Sequence, residues 1–125
     1  MRSNLLLVDD EESILFALRR YFSLAGYSVD CARQADEACA LLDNKRYGAV
    51  IADVALSEGG GREGLEVVGH ARRTNPNARI IMLTAYGSPE LEREAFLRGI
   101  DVFVQKPKAL SELAEIVGAV TEDQP

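Results

Sequence analysis

The sequence predicts a doubly wound α/β domain, a five-stranded parallel sheet with helices on both faces. Three observations predict it. Short apolar runs alternate with longer segments of helical period from one end of the chain to the other. Most of those runs are continuous rather than alternating, as in strands buried on both faces. The chain has 125 residues, enough for one such domain with little room for a second. A chain of that size buries roughly two-thirds of its unfolded surface and builds a core without disulfides or structural metal.

Each element has its own signal. Asn4 to Val8 reads as the first strand. Ser13 to Ala25 follows with apolar residues at 14, 17, 18, 21, 22 and 25, a helical stripe that leaves Phe16 opposite and Leu15 at the flank. Gly26 closes that helix. Tyr27 to Ala32 alternates more than it runs, which suits an edge strand. Asp36 to Lys45 is the second helix, Gly48 to Ala52 the third strand and Gly64 to Thr74 the third helix, closed by Asn75-Pro76-Asn77. Arg79 to Leu83 is the fourth strand, and Pro89 to Arg98 the fourth helix, stopped by Gly99. Val102 to Val104 is the fifth strand and Lys108 to Val120 the fifth helix. Right-handed crossovers leave few topologies for five such units. The flavodoxin-like strand order 2-1-3-4-5 puts the weakly apolar second strand at an edge. One domain therefore covers residues 1–121, and 122–125 are a polar tail or the start of a linker.

Composition narrows the function classes. Fourteen Lys plus Arg against twenty Asp plus Glu leave a net charge of −6, a poor basis for binding nucleic acid, whose phosphates need clustered cations. The longest apolar run is five residues, Ile14 to Leu18, so no segment is expected to span a membrane, and no signal peptide is read at the N-terminus. Cys31 and Cys39 match no metal-ligand spacing, and the expected setting is the reducing cytoplasm. His70 is expected as an exposed helix residue, and Cys39 as a small hydrophobe on the core.

In an open α/β sheet, ligands bind beyond the carboxyl ends of the strands. The first strand ends in Asp9-Asp10, the third in Asp53, the fourth in Thr84-Ala85 and the fifth in Gln105-Lys106-Pro107, while the second offers nothing. Taken singly, each has a bland reading. Asp-Asp after a strand is often a helix cap with an acidic first turn, and Lys-Pro is usually a turn. Together they bring three carboxylates, a hydroxyl and an ammonium to one rim. Clustered carboxylates repel unless a cation intervenes, and a hard divalent ion such as Mg²⁺ suits oxygen ligands beside phosphate. Those are the parts needed for phosphoryl transfer to an aspartate.

Val8-Asp9-Asp10-Glu11, Asp53, Leu83-Thr84-Ala85 and Lys106-Pro107, at these spacings, resemble the response-regulator receiver domain of two-component signalling, and the resemblance covers the whole chain. It implies that Asp53 accepts phosphate from a phosphohistidine on a histidine kinase or histidine phosphotransfer protein. It implies further that Asp10, Asp53 and the Ala55 carbonyl bind Mg²⁺ directly, with Asp9 acting mainly through water, and that Thr84 and Lys106 hold the phosphoryl oxygens. Phe103 matches the family's switch aromatic, and the Lys106-Pro107 bond is implied to be cis. Such a domain is a signalling receiver that assists its own phosphorylation and dephosphorylation rather than an enzyme acting on a separate substrate. It binds neither nucleic acid nor membrane itself, and the sequence does not name its effector.

Some features depart from that pattern. Ser57 stands where receivers commonly have Pro, and Leu56 to Glu63, with Gly59-Gly60-Gly61, is about three residues longer than usual, which predicts a mobile loop. Lys108 replaces the usual Phe after Lys-Pro. A phosphatase of the haloacid dehalogenase type also uses an aspartyl phosphate, but it requires a second Asp where Ala55 stands. A flavodoxin-like ligand carrier lacks its glycine fingerprint here. A receiver used without phosphorylation would not need the intact acidic pair and Lys106.

Overall fold

The computed structural model describes residues 4–53, 62–84, 87–105 and 109–122. Ten elements alternate along the chain: β1 (Asn4–Val8), α1 (Glu12–Leu24), β2 (Ser28–Ala32), α2 (Ala35–Asn44), β3 (Ala49–Asp53), α3 (Arg62–Thr74), β4 (Arg79–Thr84), α4 (Pro89–Arg98), β5 (Val102–Gln105) and α5 (Leu110–Glu122). The strands form one parallel sheet in the order β2-β1-β3-β4-β5, the expected topology. No helix among the described residues is long and apolar enough to cross a membrane.

Strand side chains point alternately to the two faces, and each face has its own core. Leu6, Val8, Val50, Ala52, Ile80 and Met82 pack with Ala38 and Leu42 of α2, Leu65, Val68 and Ala71 of α3, and Ala95 of α4. Leu5, Leu7, Ala49, Ile51, Ile81 and Leu83 pack with Leu15, Leu18 and Phe22 of α1 and with Leu113 and Val117 of α5. All five residues of β3 are buried, whereas β2 keeps partly exposed positions, as its alternating sequence predicts.

Several boundaries differ from the sequence reading. The buried stripe of α1 is Leu15, Leu18 and Phe22. Leu15 is therefore core rather than flank, while Ala17 and Ala25 are exposed, because the larger side chains take the face toward the sheet. Phe16 stays exposed, as expected. Tyr27 precedes β2 and packs edge-on against Phe22. The α3 helix begins at Arg62, so Arg62 and Glu63 belong to its first turn and not to the preceding loop; the rest of the expected mobile segment, 56–61, lies outside the described residues. The α5 helix runs two residues past the expected end, through Glu122.

Left-handed glycines and a side-chain cap fix several helix ends. Gly26 (φ 99°) and Gly99 (φ 113°) take the left-handed conformation that ends α1 and α4. Ser88 caps α4, its Oγ accepting from the Leu91 N–H at 3.1 Å, with Pro89 in the first turn.

Candidate phosphoacceptor site

Four polar or charged residues are buried among those described: Asp9, Asp53, Asn75 and Thr84. Asn75 lies at the amino-terminal end of the sheet, and local bonds account for it. Its Oδ1 accepts from the Tyr47 N–H at 2.9 Å, and its Nδ2 donates to the Leu42 carbonyl at 3.2 Å and to Thr74 Oγ1 at 3.0 Å. The other three lie at the carboxyl ends of β1, β3 and β4. Burying carboxylates is costly unless something compensates their charge, so that end of the sheet is where chemistry is sought.

Backbone geometry brings the carboxylates together. Asp9 follows β1 and donates its N–H to the Ala32 carbonyl at 3.1 Å, continuing the ladder with β2. Its Oδ1 accepts from the Glu11 N–H at 3.0 Å, turning the chain into α1. Asp10, between them, is exposed. Asp53 is the last residue of β3, the central strand, opposite Leu83 of β4. Asp9, Asp10 and Asp53 each offer a carboxylate oxygen within 4.8 Å of the others. Two buried carboxylates and one exposed at this spacing repel strongly, and their all-oxygen donor set fits a hard divalent cation.

Thr84, buried, closes β4 one residue beyond the partner of Asp53. Met82 pairs with Phe103, so Thr84 and Phe103 lie on the same face of the sheet by the two-residue period. Phe103 is half-buried against the core that contains Ala95. A Cβ added at Gly87 would fall 3.1 Å from Phe103 Cε1 and 3.4 Å from the Thr84 methyl. Gly87 thus leaves room for the ring beside Thr84.

Of the residues singled out in the sequence, Asp9, Asp10, Asp53 and Thr84 come to one rim, with Phe103 on the face behind Thr84. Lys106 and Ala55, together with Ala85 and Pro107, lie outside the described residues. The end of β2, expected to offer nothing, contributes a wall. A cavity of about 610 Å³ beside Asp10 is lined by Glu63 and the turn from Arg33 to Glu37. Arg33 was legible as the first residue past a strand end, the same signal that singled out the acidic pair. Its N–H donates to Glu37 Oε1 at 3.0 Å, and its guanidinium approaches Glu12 at 3.9 Å. His70 lies away from the rim, but it is half-buried rather than exposed, its Nε2 2.7 Å from Asp43 Oδ1. Cys39 is also half-buried, but it is not among the partly buried side chains packed on either core. Burial pushes both thiols, Cys31 and Cys39, above their ordinary range, which disfavours the reactive thiolate.

Comparison with known proteins gives a consistent answer. The family model of the response regulator receiver domain matches residues 5–118. A response regulator MprA from Mycobacterium sp. (strain KMS) is 40% identical over 114 residues, covering 90% of this chain and 48% of that protein. The chain thus spans about half the length of the curated relatives it matches. The crystal structure of a CheY-like response regulator receiver domain protein from Methanospirillum hungatei JF-1 superposes with a TM-score of 0.92 at 27% identity, covering 99% of this chain and 97% of that one. A response regulator protein from Burkholderia pseudomallei, with a phosphorylated aspartic acid, a calcium ion and citrate, superposes with a TM-score of 0.82 at 26% identity, covering 99% of this chain and 76% of that one. With this fold, with the acidic trio at the ends of β1 and β3, and with a family match over nearly its whole length, the chain belongs to the response regulator receiver domain family.

Proposed function

We propose that the chain is a phosphorylation switch in which Asp53 accepts a phosphoryl group from a phosphohistidine on a histidine kinase or histidine phosphotransfer protein in the cytoplasm. The observation that carries this reading is the convergence of Asp9, Asp10 and Asp53 within 4.8 Å, with Asp53 buried at the end of the central strand. A carboxylate oxygen of Asp53 attacks phosphorus in line. The O–P bond forms as the P–N bond to the imidazole breaks, and the leaving nitrogen keeps the electron pair. The buried setting excludes bulk water and holds the nucleophile in one orientation. Asp10 and Asp53 with the Ala55 carbonyl would hold Mg²⁺, with Asp9 acting mainly through water, and the ion supplies positive charge against the phosphoryl oxygens. Lys106 would add a second cation there, and the Thr84 hydroxyl would donate to a phosphoryl oxygen.

The same reading gives a switch. Drawing the Thr84 hydroxyl toward phosphate moves the end of β4, and the Phe103 ring, on the same face of the sheet, follows it inward. The face formed by α4, β5 and α5 then changes shape for an effector. Phosphorylation biases this equilibrium only as far as its contacts differ between the two states.

Incubation with Mg²⁺ and a small phosphodonor, followed by intact mass measurement, tests the acceptor. The expected result is one added phosphoryl group in the wild type and none in Asp53→Asn; labelling retained in that variant would sink the assignment. Amide NMR with a beryllofluoride mimic tests the switch. Thr84→Ala is expected to bind the mimic yet lose the shift changes around Phe103 and α4, and wild-type changes in that variant would mean the coupling runs elsewhere.

A further inference from the structure

The two ends of α4 are held very differently. Arg72, in the last turn of α3, reaches the end of α4 and the turn into β4, and all five N–H groups of its guanidinium find acceptors there. Its Nε and Nη2 donate to the Gly99 carbonyl at 3.2 and 2.6 Å, and Nη2 donates to Asp101 Oδ2 at 3.0 Å. Its Nη1 donates to the Pro76 and Ala78 carbonyls at 2.8 and 2.9 Å. Asp101 completes the joint. Its Oδ2 accepts from the Ile80 N–H, and its own N–H donates to the Ile80 carbonyl, both at 2.8 Å. At the other end of α4 the bonds belong to the helix itself. Ser88 Oγ accepts from the Leu91 N–H at 3.1 Å and the Ser88 carbonyl from the Glu92 N–H at 2.9 Å, while Ser88, Pro89 and Glu90 are exposed. Between the ends, Ala95 is buried and Leu91 partly buried on one core, and Phe96 and Leu97 face solvent.

We propose that Arg72 is the fixed pivot of α4, so that phosphorylation of Asp53 tilts this helix about Gly99 instead of sliding it along the sheet. This rests on the switch proposed above and adds the direction of its motion. A Cβ placed at Gly87 would fall 3.1 Å from Phe103 Cε1 and 3.4 Å from the Thr84 methyl, so the chain enters α4 close to both residues of the switch. Ten residues of helix separate that entrance from Gly99, a lever of about 15 Å. A shift at the end of β4 reaches the free end of the lever, while the guanidinium holds the other. Tilting costs little at the free end, because its bonds travel with the helix and little apolar surface is buried there. Sliding would break the charge-assisted bonds of Arg72 together. Position along α4 then sets how far each side chain moves. Glu92 and Arg93 sweep further than Leu97, so an effector meets a graded change of surface.

Amide hydrogen exchange on the full, unphosphorylated chain tests the pivot without relying on the switch. In the wild type, Leu91 and Glu92 are expected to exchange faster than Gly99, Ile100 and Asp101. Arg72→Ala is expected to speed exchange at Gly99 and Asp101 at least about tenfold, measured relative to Val50 of the central strand, which reports global unfolding. Leu91 and Glu92 are expected to change little. Arg72→Lys, which keeps the charge but not the fork of donors, gives the same comparison in a milder variant and is expected to fall between. Uniform exchange along wild-type α4, or acceleration at Gly99 no greater than at Val50 in both variants, overturns the pivot. Amide NMR with beryllofluoride then tests the lever. Wild-type shift changes are expected to decline from Leu91 to Gly99, and in Arg72→Lys to extend through Gly99 and Asp101. Changes as large at Gly99 as at Leu91 in the wild type, or the same decline in Arg72→Lys, overturn the lever alone. No change at either Phe103 or α4 in the wild type overturns the switch and the lever with it.

Discussion

Asp30 illustrates how a side chain outside the site is tuned. Burial alone would raise its pKa, but its Oδ2 accepts from Tyr47 Oη at 2.7 Å and from Lys45 Nζ at 3.0 Å. Those bonds and the lysine charge hold the carboxyl below its ordinary value. Burial, together with the same contact, pushes the Tyr47 hydroxyl well above its ordinary range. A depressed carboxyl stabilises the fold above its unfolded pKa of about 4, and that stability is lost as pH falls through the folded value. A raised phenol contributes fully below about pH 10, and its contribution is lost as pH rises through the folded value. Asp30→Asn is therefore expected to cost about 1 kcal/mol at neutral pH, with the deficit shrinking below about pH 4. Urea titrations of both proteins across the acid range check this. A deficit that stays constant down to the lowest pH would show that the ionised form is not what stabilises the contact.

At the scale of elements, sequence pattern gave the number, type and order of all ten, and local chemistry decided where each ended. The fourth helix was legible to the residue because its ends are marked by Ser88, Pro89 and Gly99. The α3 start was not, because the Gly-rich stretch before it masks the first turn, and helical hydrogen bonding reaches back to Arg62. The α1 stripe was misread because helical period alone ranks Ala17 with Leu15, whereas burial favours the larger apolar surface. In the site, Asp9, Asp10, Asp53 and Thr84 were legible because strand ends in a parallel sheet share one rim. Arg33 and Glu63 were passed over because they reach that rim from β2 and α3, where no strand-end acid marks the place. Gly99 shows how tightly a helix end is fixed. Its φ is 113°, and a Cβ there would fall 3.0 Å from Arg72 Nε. The Arg72 guanidinium donates to the Gly99 carbonyl at 2.6 and 3.2 Å, to the Ala78 carbonyl at 2.9 Å and to Asp101 Oδ2 at 3.0 Å. Gly99→Ala is expected to cost about 1–3 kcal/mol from backbone strain and the displaced guanidinium together. Urea unfolding with an unchanged m-value would report it. In an Arg72→Ala background the cost is expected to fall, since only the strain remains; equal costs in both backgrounds would show that the close approach contributes nothing.

Across the whole molecule the two ends of the sheet carry different arrangements of charge. At the amino-terminal end, Asn75 and the Arg72–Asp101 pair are bonded within the chain, and Asp101 Oδ2 also accepts from the Ile80 N–H at 2.8 Å. At the carboxyl-terminal end, three carboxylates face one another in a chain whose net charge is already −6. Repulsion of that kind opposes folding, because unfolding lets the charges separate. A divalent ion that binds the folded trio and not the unfolded chain stabilises by mass action, about 1.4 kcal/mol at ten times its dissociation constant. For a domain of this size that corresponds to a rise of roughly 4–6 °C in melting temperature. Removing one carboxylate acts in the opposite order. Asp10→Ala relieves part of the repulsion, so without metal it is expected to melt at or above the wild type, and Mg²⁺ is expected to shift it little. Calorimetric scans of both proteins, with Mg²⁺ and with a chelator, separate the two effects. An equal Mg²⁺ shift in Asp10→Ala would mean that the ion stabilises through some other surface, and a wild type without a shift would mean that the acidic end of the sheet is balanced from within the chain.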